Sequence, residues 1–151
     1  MIRQLSPIEI DDLLRKQIVG RIGCSYENEV YIIPMSYAYD DDYVYCHSYE
    51  GKKMEMMRKN PKVCFQVDEM KDMGNWKSVI AWGEYQELTD SREKQIAMKL
   101  FVERTLSLKI SETAILPETS FERLHPRSPG VIKPIIYRII LKEKTGRYET
   151  D

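Results

Sequence analysis

Two adjacent lysines, Lys52 and Lys53, follow a strand-like run and a glycine, an arrangement suited to holding an anion. In YVYCHSYEGKKMEMMRKNP, residues 43–61, Tyr43, Tyr45 and His47 alternate with Val44, Cys46 and Ser48, the period of a strand with two faces. Gly51 interrupts that pattern as a tight turn. Met54 and Met57 then fall at helical spacing, and Asn60-Pro61 supplies a stop. Lys52 and Lys53 thus occupy the first turn of a short helix, where the macrodipole already presents positive partial charge. Cations there are unfavourable unless something negative offsets them. A phosphate on the free N–H groups would satisfy backbone and lysines together. A pair of solvated surface lysines is the other reading of the same residues.

Other chemistry-bearing residues are sparse. The only histidines are His47, beside Ser48 at the end of this strand, and His125 in LHPRSPG. His47 could contact a ligand or simply bond backbone within its strand; His125 reads as a loop residue. Without a CxxC pair or a histidine cluster, no zinc site is expected. Cys24, Cys46 and Cys64 are odd in number and each lies in a strand-like run. Buried free thiols in a reducing, cytoplasmic compartment are therefore expected, with no catalytic role. Trp76, Trp82 and the methionines of the short helix read first as packing residues.

The elements that must position these residues are mostly strands. Ser6-Pro7-Ile8-Glu9 is a capping box with proline at the first helical position, predicting a helix to about Lys16. Strands are predicted over 19–25, 30–39, 43–49, 62–68, 76–88 and 131–141, with a turn at Glu27-Asn28-Glu29 and another at Asp40-Asp41-Asp42. Gly83 marks a bulge or barrel bend in the fifth of these. Pro34 and Pro134 mark an edge, bulge or interrupted pairing, and Pro134 reads as a simple edge. At Pro34, the backbone groups of Met35, Ser36 and Tyr37 would be partly freed from the sheet and could bind the polar rim of a planar ligand. Asp90 and Glu93 cap a second helix with Ile96, Ala97, Leu100 and Phe101 on one stripe. Residues 109–130 look irregular, with one helical turn in TSFERL, and the tail KEKTGRYETD reads as charged and mobile. Six strands with helical inserts favour an antiparallel barrel, mainly β, in one domain over residues 1–151.

Composition sets limits. The chain has 151 residues, 42% hydrophobic and 31% charged, and a formal net charge of −1, which argues against a nucleic-acid surface. No apolar run is long enough for a membrane span, and MIRQLSPIEIDDLL does not read as a secretory signal. Tyr31, Tyr37, Tyr39 and Trp82 are candidate homodimer interface residues, because a chain this short buries only part of a large planar ligand.

The succession GRIGCS, VYIIPMSYAYDDDYVYCHSYEGKKMEMMRKNPKVCFQVDE, WKSVIAWGEYQELTD and YRIILKEKTGRYE resembles the pyridoxamine 5′-phosphate oxidase-like flavoproteins. More narrowly, it is similar to the nitroimidazole-resistance (Nim) branch. The resemblance spans about Gly20 to Glu149 and implies an FMN-binding split barrel, a six-stranded Greek-key homodimer with flavin at the interface. It implies that Lys53 and Lys52 grip the FMN phosphate, and that Met35, Ser36 and Tyr37 run beside the isoalloxazine ring. It places His47 and Ser48 near the ring or ribityl chain, and Ser78 and Val79, with Trp76 close by, against the flavin. Ser36, Lys52 and Ser78 depart from the oxidase branch, which carries arginine and glutamine at some of these contact positions. The implied activity is an FMN-dependent oxidoreductase. NAD(P)H would reduce the flavin, a small acceptor such as a nitroimidazole would take the electrons, and His47 would be the polar contact to substrate. Alternatives are a deazaflavin cofactor, a non-catalytic flavin- or haem-binding barrel, or a pyridoxamine 5′-phosphate oxidase-like enzyme.

Overall fold

The computed structural model describes residues 1–108 and 134–151. His125, the expected turn in TSFERL and the start of the predicted last strand lie outside them. The elements run β1 (Arg3–Gln4), α1 (Pro7–Lys16), β2 (Val19–Tyr26), β3 (Glu29–Ser36), β4 (Ala38–Asp40), β5 (Tyr43–Ser48), α2 (Lys52–Lys59), β6 (Lys62–Asp72), β7 (Asn75–Glu87), α3 (Ser91–Ser107) and β8 (Ile135–Glu149).

All pairings are antiparallel, in the order β3-β2-β6-β7-β8-β5-β4, with β1 on β8. The described sheet therefore has eight strands, where six were expected, and its hydrogen-bonded path is open. Its two end strands, β3 and β4, are nonetheless consecutive in the chain, joined by Tyr37 alone. Ser36 and Ala38 are two Cα steps apart, at most about 7 Å, so the sheet must curl until its edges nearly meet. That is a split barrel.

Local chemistry explains the turns. Glu27 and Asn28 have φ of 48° and 66°, the two-residue hairpin geometry that matches strand twist. At Gly83 the register between β7 and β8 shifts, because Trp82 pairs with Glu143 and Gly83 with Leu141. A Cβ at Gly83 would lie 2.2 Å from the carbonyl oxygen of Ile140, so the bulge needs glycine. The expected bend is therefore present.

Several expectations are corrected. The charged tail is strand: β8 pairs with β7 as far as Glu149, and the Asp151 N–H donates to Asn75 Oδ1 at 3.2 Å. Pro134 precedes β8, which is central between β7 and β5, so it marks a strand start and not an edge. Pro34 does lie on an end strand, since β3 pairs only with β2, but Met35 and Ser36 stay in register there with Gly20 and Val19, so of the expected residues only Tyr37 leaves the sheet. On α3, Ala97 is the buried residue while Ile96 is half exposed, so the expected stripe is narrower.

The barrel interior is filled by Ile22, Phe65, Val67, Val79, Tyr137 and Ile139, each fully buried. Removing a side chain such as Phe65 would cost about 3–5 kcal/mol. α1 contributes Leu13 and Leu14 to this core, and α2 contributes Met54 and Met57. α3 covers a second cluster of Ala38, Tyr45, Leu88, Ala97 and Ile136.

Candidate functional site

β5 delivers His47 and Ser48 to the start of α2, with Gly51 at the N-cap. Gly51 is fully extended, with φ 175° and ψ −174°, and does not form the tight turn suggested by its sequence context. Glycine has no capping side chain, and among the described residues no side chain caps the first N–H groups of α2. These N–H groups remain as donors aimed out of the helix end.

The two lysines diverge along β3. Glu29, Tyr31, Ile33 and Met35 share the face of β3 that meets α2, by strand alternation. Lys52 is exposed, its ammonium bonded to the Glu29 carboxylate, and it lies 5.8 Å from the Tyr31 ring centroid. That bond raises its pKa. Lys53 turns the other way, with Nζ 3.1 Å from Met35 Sδ. It is half-buried, and among the described residues it has no carboxylate partner. Burial holds its pKa below the ordinary lysine value, while the neighbouring Cys46 and Cys24 pull the other way. The expectation of two lysines converging on one anion is therefore half right: Lys53 faces the cleft, and Lys52 is held away by Glu29.

His47 sits beside this ammonium. Burial, and then the charge on Lys53, lowers its pKa, so the imidazole is neutral at pH 7. Its ring meets Phe101 of α3 edge-on, with centroids 5.0 Å apart. Cys46 is fully buried with its pKa pushed up to about 12, and Cys24 is buried and raised as well, so neither supplies a thiolate. Cys64 is only partly buried, contrary to expectation.

The remaining sequence-predicted residues separate by face. Tyr37 is buried, and its hydroxyl donates to the Leu14 carbonyl at 2.6 Å, so its side chain serves the core and offers a ligand nothing. Val79 is fully buried in the same core. Tyr39 is buried too and donates to Asp11 Oδ1 at 2.6 Å, which removes it and Tyr37 from the expected interface. Ser36 and Ser78 lie on the outer face of the sheet, on strands three spacings apart, or about 14 Å. Trp76 is two residues further along β7 on that face. A groove of about 120 Å³ lined by Trp76, Asn75 and Tyr148 lies at this end of β7, too small for a large planar ligand.

Ser78 has company that sequence reasoning missed. Gln66 Nε2 donates to Ser78 Oγ at 3.4 Å and to Asp68 Oδ2 at 3.2 Å, and Arg21 Nη1 donates to Gln66 Oε1 at 3.4 Å. The signal was alternation: Val63, Phe65 and Val67 point inward, so Gln66 and Asp68 had to point outward.

One donor set thus fits the anionic end of a nucleotide: Lys53 and the first N–H groups of α2, with Glu55 the acidic residue of that first turn.

The pyridoxamine 5′-phosphate oxidase family model matches residues 6–129. The chain belongs to that family. An uncharacterised protein of Rhizobium meliloti (strain 1021) is 37% identical over 87 residues, and the matched stretch covers 58% of this chain and 58% of that relative. Among solved structures, an FAD-binding protein from Mesorhizobium loti has a TM-score of 0.74 at 28% identity, covering 100% of this chain and 98% of the other. A proposed 5-nitroimidazole antibiotic resistance protein from Bacteroides thetaiotaomicron has a TM-score of 0.71 at 17% identity, with coverage of 98% and 89%. This second likeness concerns the fold alone. Membership of the oxidase family agrees with the split-barrel topology and with the resemblance of the sequence blocks.

Proposed function

We propose that this chain is a flavin-dependent oxidoreductase that holds FMN, or the FMN half of a larger flavin nucleotide, with its phosphate at the start of α2. The carrying observation is Lys53, a half-buried ammonium set at a helix end, where among the described residues neither a carboxylate pairs with it nor a side chain caps the helix. Family membership and the FAD-binding neighbour from Mesorhizobium loti support the same reading.

The bound flavin supplies the redox chemistry, carrying electrons from NAD(P)H to a small acceptor. The chain's own residues bind and orient. Lys53 and the α2 N–H groups neutralise the phosphate. His47, neutral at pH 7, offers a substrate a hydrogen bond without adding a charge. On the outer face, Ser78 and Gln66 offer a hydroxyl and an amide to a polar ring edge, and Ser36 lies too far off to share it.

A second copy of the chain completes the site in this reading. The outer face exposes Val30 at 71%, Ile32 at 69% and Trp82 at 43%, beside Ser78 and Gln66. Apolar residues at that exposure favour burial against a partner. A homodimer would also join the outer-face residues of one copy to the α2 corner of the other. A nitroimidazole or related nitroaromatic is the acceptor class we favour, on the sequence blocks shared with the Nim branch.

The test is spectroscopic. Purified protein should show flavin absorbance or acquire it on titration with FMN, lose it anaerobically with NADH or NADPH, and recover it with a nitroimidazole. Failure to bind any flavin would overturn the proposal. A bound flavin that neither nicotinamide bleaches would leave a binding protein instead of an enzyme.

A further inference from the structure

His47 shares one face of β5 with Tyr45, and α3 covers that face. Strand alternation sends Val44 and Cys46 into the barrel core, while Tyr45 joins Ala38, Leu88, Ala97 and Ile136 beneath α3. Ala97, Phe101 and Arg104 form one stripe of α3, at helical spacing. Ala97 is fully buried in that cluster, and Phe101, partly buried, packs against it. The Phe101 ring meets His47 edge-on, with centroids 5.0 Å apart. Arg104 Nη2 donates to the carbonyls of Lys16 and Gln17, at 2.8 and 3.1 Å, where α1 ends. We infer that Phe101 selects the acceptors that reach His47, admitting small flat aromatic molecules, and that Arg104 is the positioning residue that holds it there. This rests on the flavin reading above and names what decides which substrates that site takes.

The packing of α3 makes this cover adjustable. Of its 17 residues Ala97 is the buried one, and Ile96 and Leu106 are exposed. A cleft of about 280 Å³, lined by Arg15, Ala38, Tyr39, Leu100, Glu103 and Arg104, separates the C-terminal half of α3 from α1 and β4. A helix with so little buried surface and a gap beside it lies at the low end of local stability. The Arg104 bonds tie that half to the end of α1, where the last carbonyls lack helical partners and a cation suits the dipole. Phe101 thus sits between a fixed point, Ala97, and a latch, Arg104. An aromatic ring beside an imidazole offers a flat heteroaromatic molecule stacked or edge-on contact with both. A bulkier acceptor has to displace Phe101, and with it the bonds of Arg104.

The test has two readouts on the full chain. The first needs no flavin: modification of His47 by diethyl pyrocarbonate at pH 7, followed by mass spectrometry of the His47 peptide. The imidazole is neutral at that pH, so the rate reports access. Phe101→Ala should speed the modification about threefold or more, Arg104→Met should speed it as well, and Arg104→Lys should restore the slow rate. The fully buried Cys46 should stay unreactive to a thiol reagent throughout, which shows that each variant keeps its barrel. The second readout is reoxidation of the reduced flavoprotein by a nitroimidazole and by a bulkier nitronaphthalene. Phe101→Ala should narrow the ratio of kcat/KM between the two by about tenfold, and Phe101→Trp should widen it. Unchanged modification in Phe101→Ala, or an unchanged ratio in both Phe101 variants, would overturn the inference and leave the flavin reading intact. Slow modification in Arg104→Met would overturn the part given to Arg104. Wild-type protein that binds no flavin would remove that reading, and the selection of acceptors with it.

Discussion

α1 and α2 are helices of similar length with opposite beginnings. α1 has 10 residues and starts with a serine cap: Ser6 Oγ accepts from the Glu9 N–H at 3.3 Å, proline follows, and Glu9 stands in the first turn. α2 has 8 residues and starts with a bare glycine and no cap from it, and Lys52 and Lys53 precede the acidic residue of its first turn, Glu55. α3 repeats the first pattern with Asp90 and Glu93. A chain that caps two helices by rule and breaks the rule at a third has a use for the exception. Departures from local consistency concentrate at functional sites, because a ligand then supplies what the sequence withholds. The half-buried Lys53 beside Met35 is a second departure at the same place.

That contrast can be broken or sharpened by substitution. The largest effect should come from Lys53→Glu, which reverses the charge at the proposed phosphate: flavin affinity should fall at least thirtyfold by fluorescence titration, with the urea midpoint little changed. Gly51→Asp would make α2 begin as α1 does. A Cβ there meets nothing within 4 Å, so the new cap should stabilise the ligand-free protein by about 1 kcal/mol while its carboxylate weakens flavin binding. Ser6→Ala is the converse. It should cost about 1 kcal/mol in denaturant unfolding and leave flavin affinity unchanged. An equal loss of affinity in Ser6→Ala would mean that α2 has no special role.

The smallest effect is a pH dependence. The fold lowers the pKa of His47 from its usual 6.5, so the native state favours the neutral ring and the unfolded chain takes up the proton more readily. The resulting stability is present above about pH 6.5 and is lost as pH falls through the folded-state value. The urea midpoint should therefore drop on acidification below pH 6.5, and His47→Gln should flatten that drop.

Much of the fold was legible because its signals are local. The α1 capping box, the Glu27-Asn28 hairpin turn and the Gly83 bulge each depend on a few consecutive residues. The missed features depend on distant partners. In the tail, Gly146 is buried against Leu5 and Ile10 while Lys142, Glu143 and Arg147 stay exposed, so KEKTGRYE shows no apolar alternation and reads as coil. The break at Tyr37 that separates β3 from β4 carries no glycine or proline, and the Tyr37 side chain there is anchored to the carbonyl of Leu14 on α1, far away in the sequence. At the site, the position of the anion corner was readable from GKK, but the divergence of its lysines was not. It is set by Glu29, which lies 23 positions earlier in the chain. The outward cluster of Arg21, Gln66 and Ser78 needed three strands to be aligned before its members became neighbours.

The most direct test of the anion corner is a calorimetric comparison of riboflavin with FMN on the wild-type chain, since the two ligands differ only in the phosphate. Lys53 and the open end of α2 predict that FMN binds at least tenfold more tightly than riboflavin. Equal affinities would mean that no phosphate is held there.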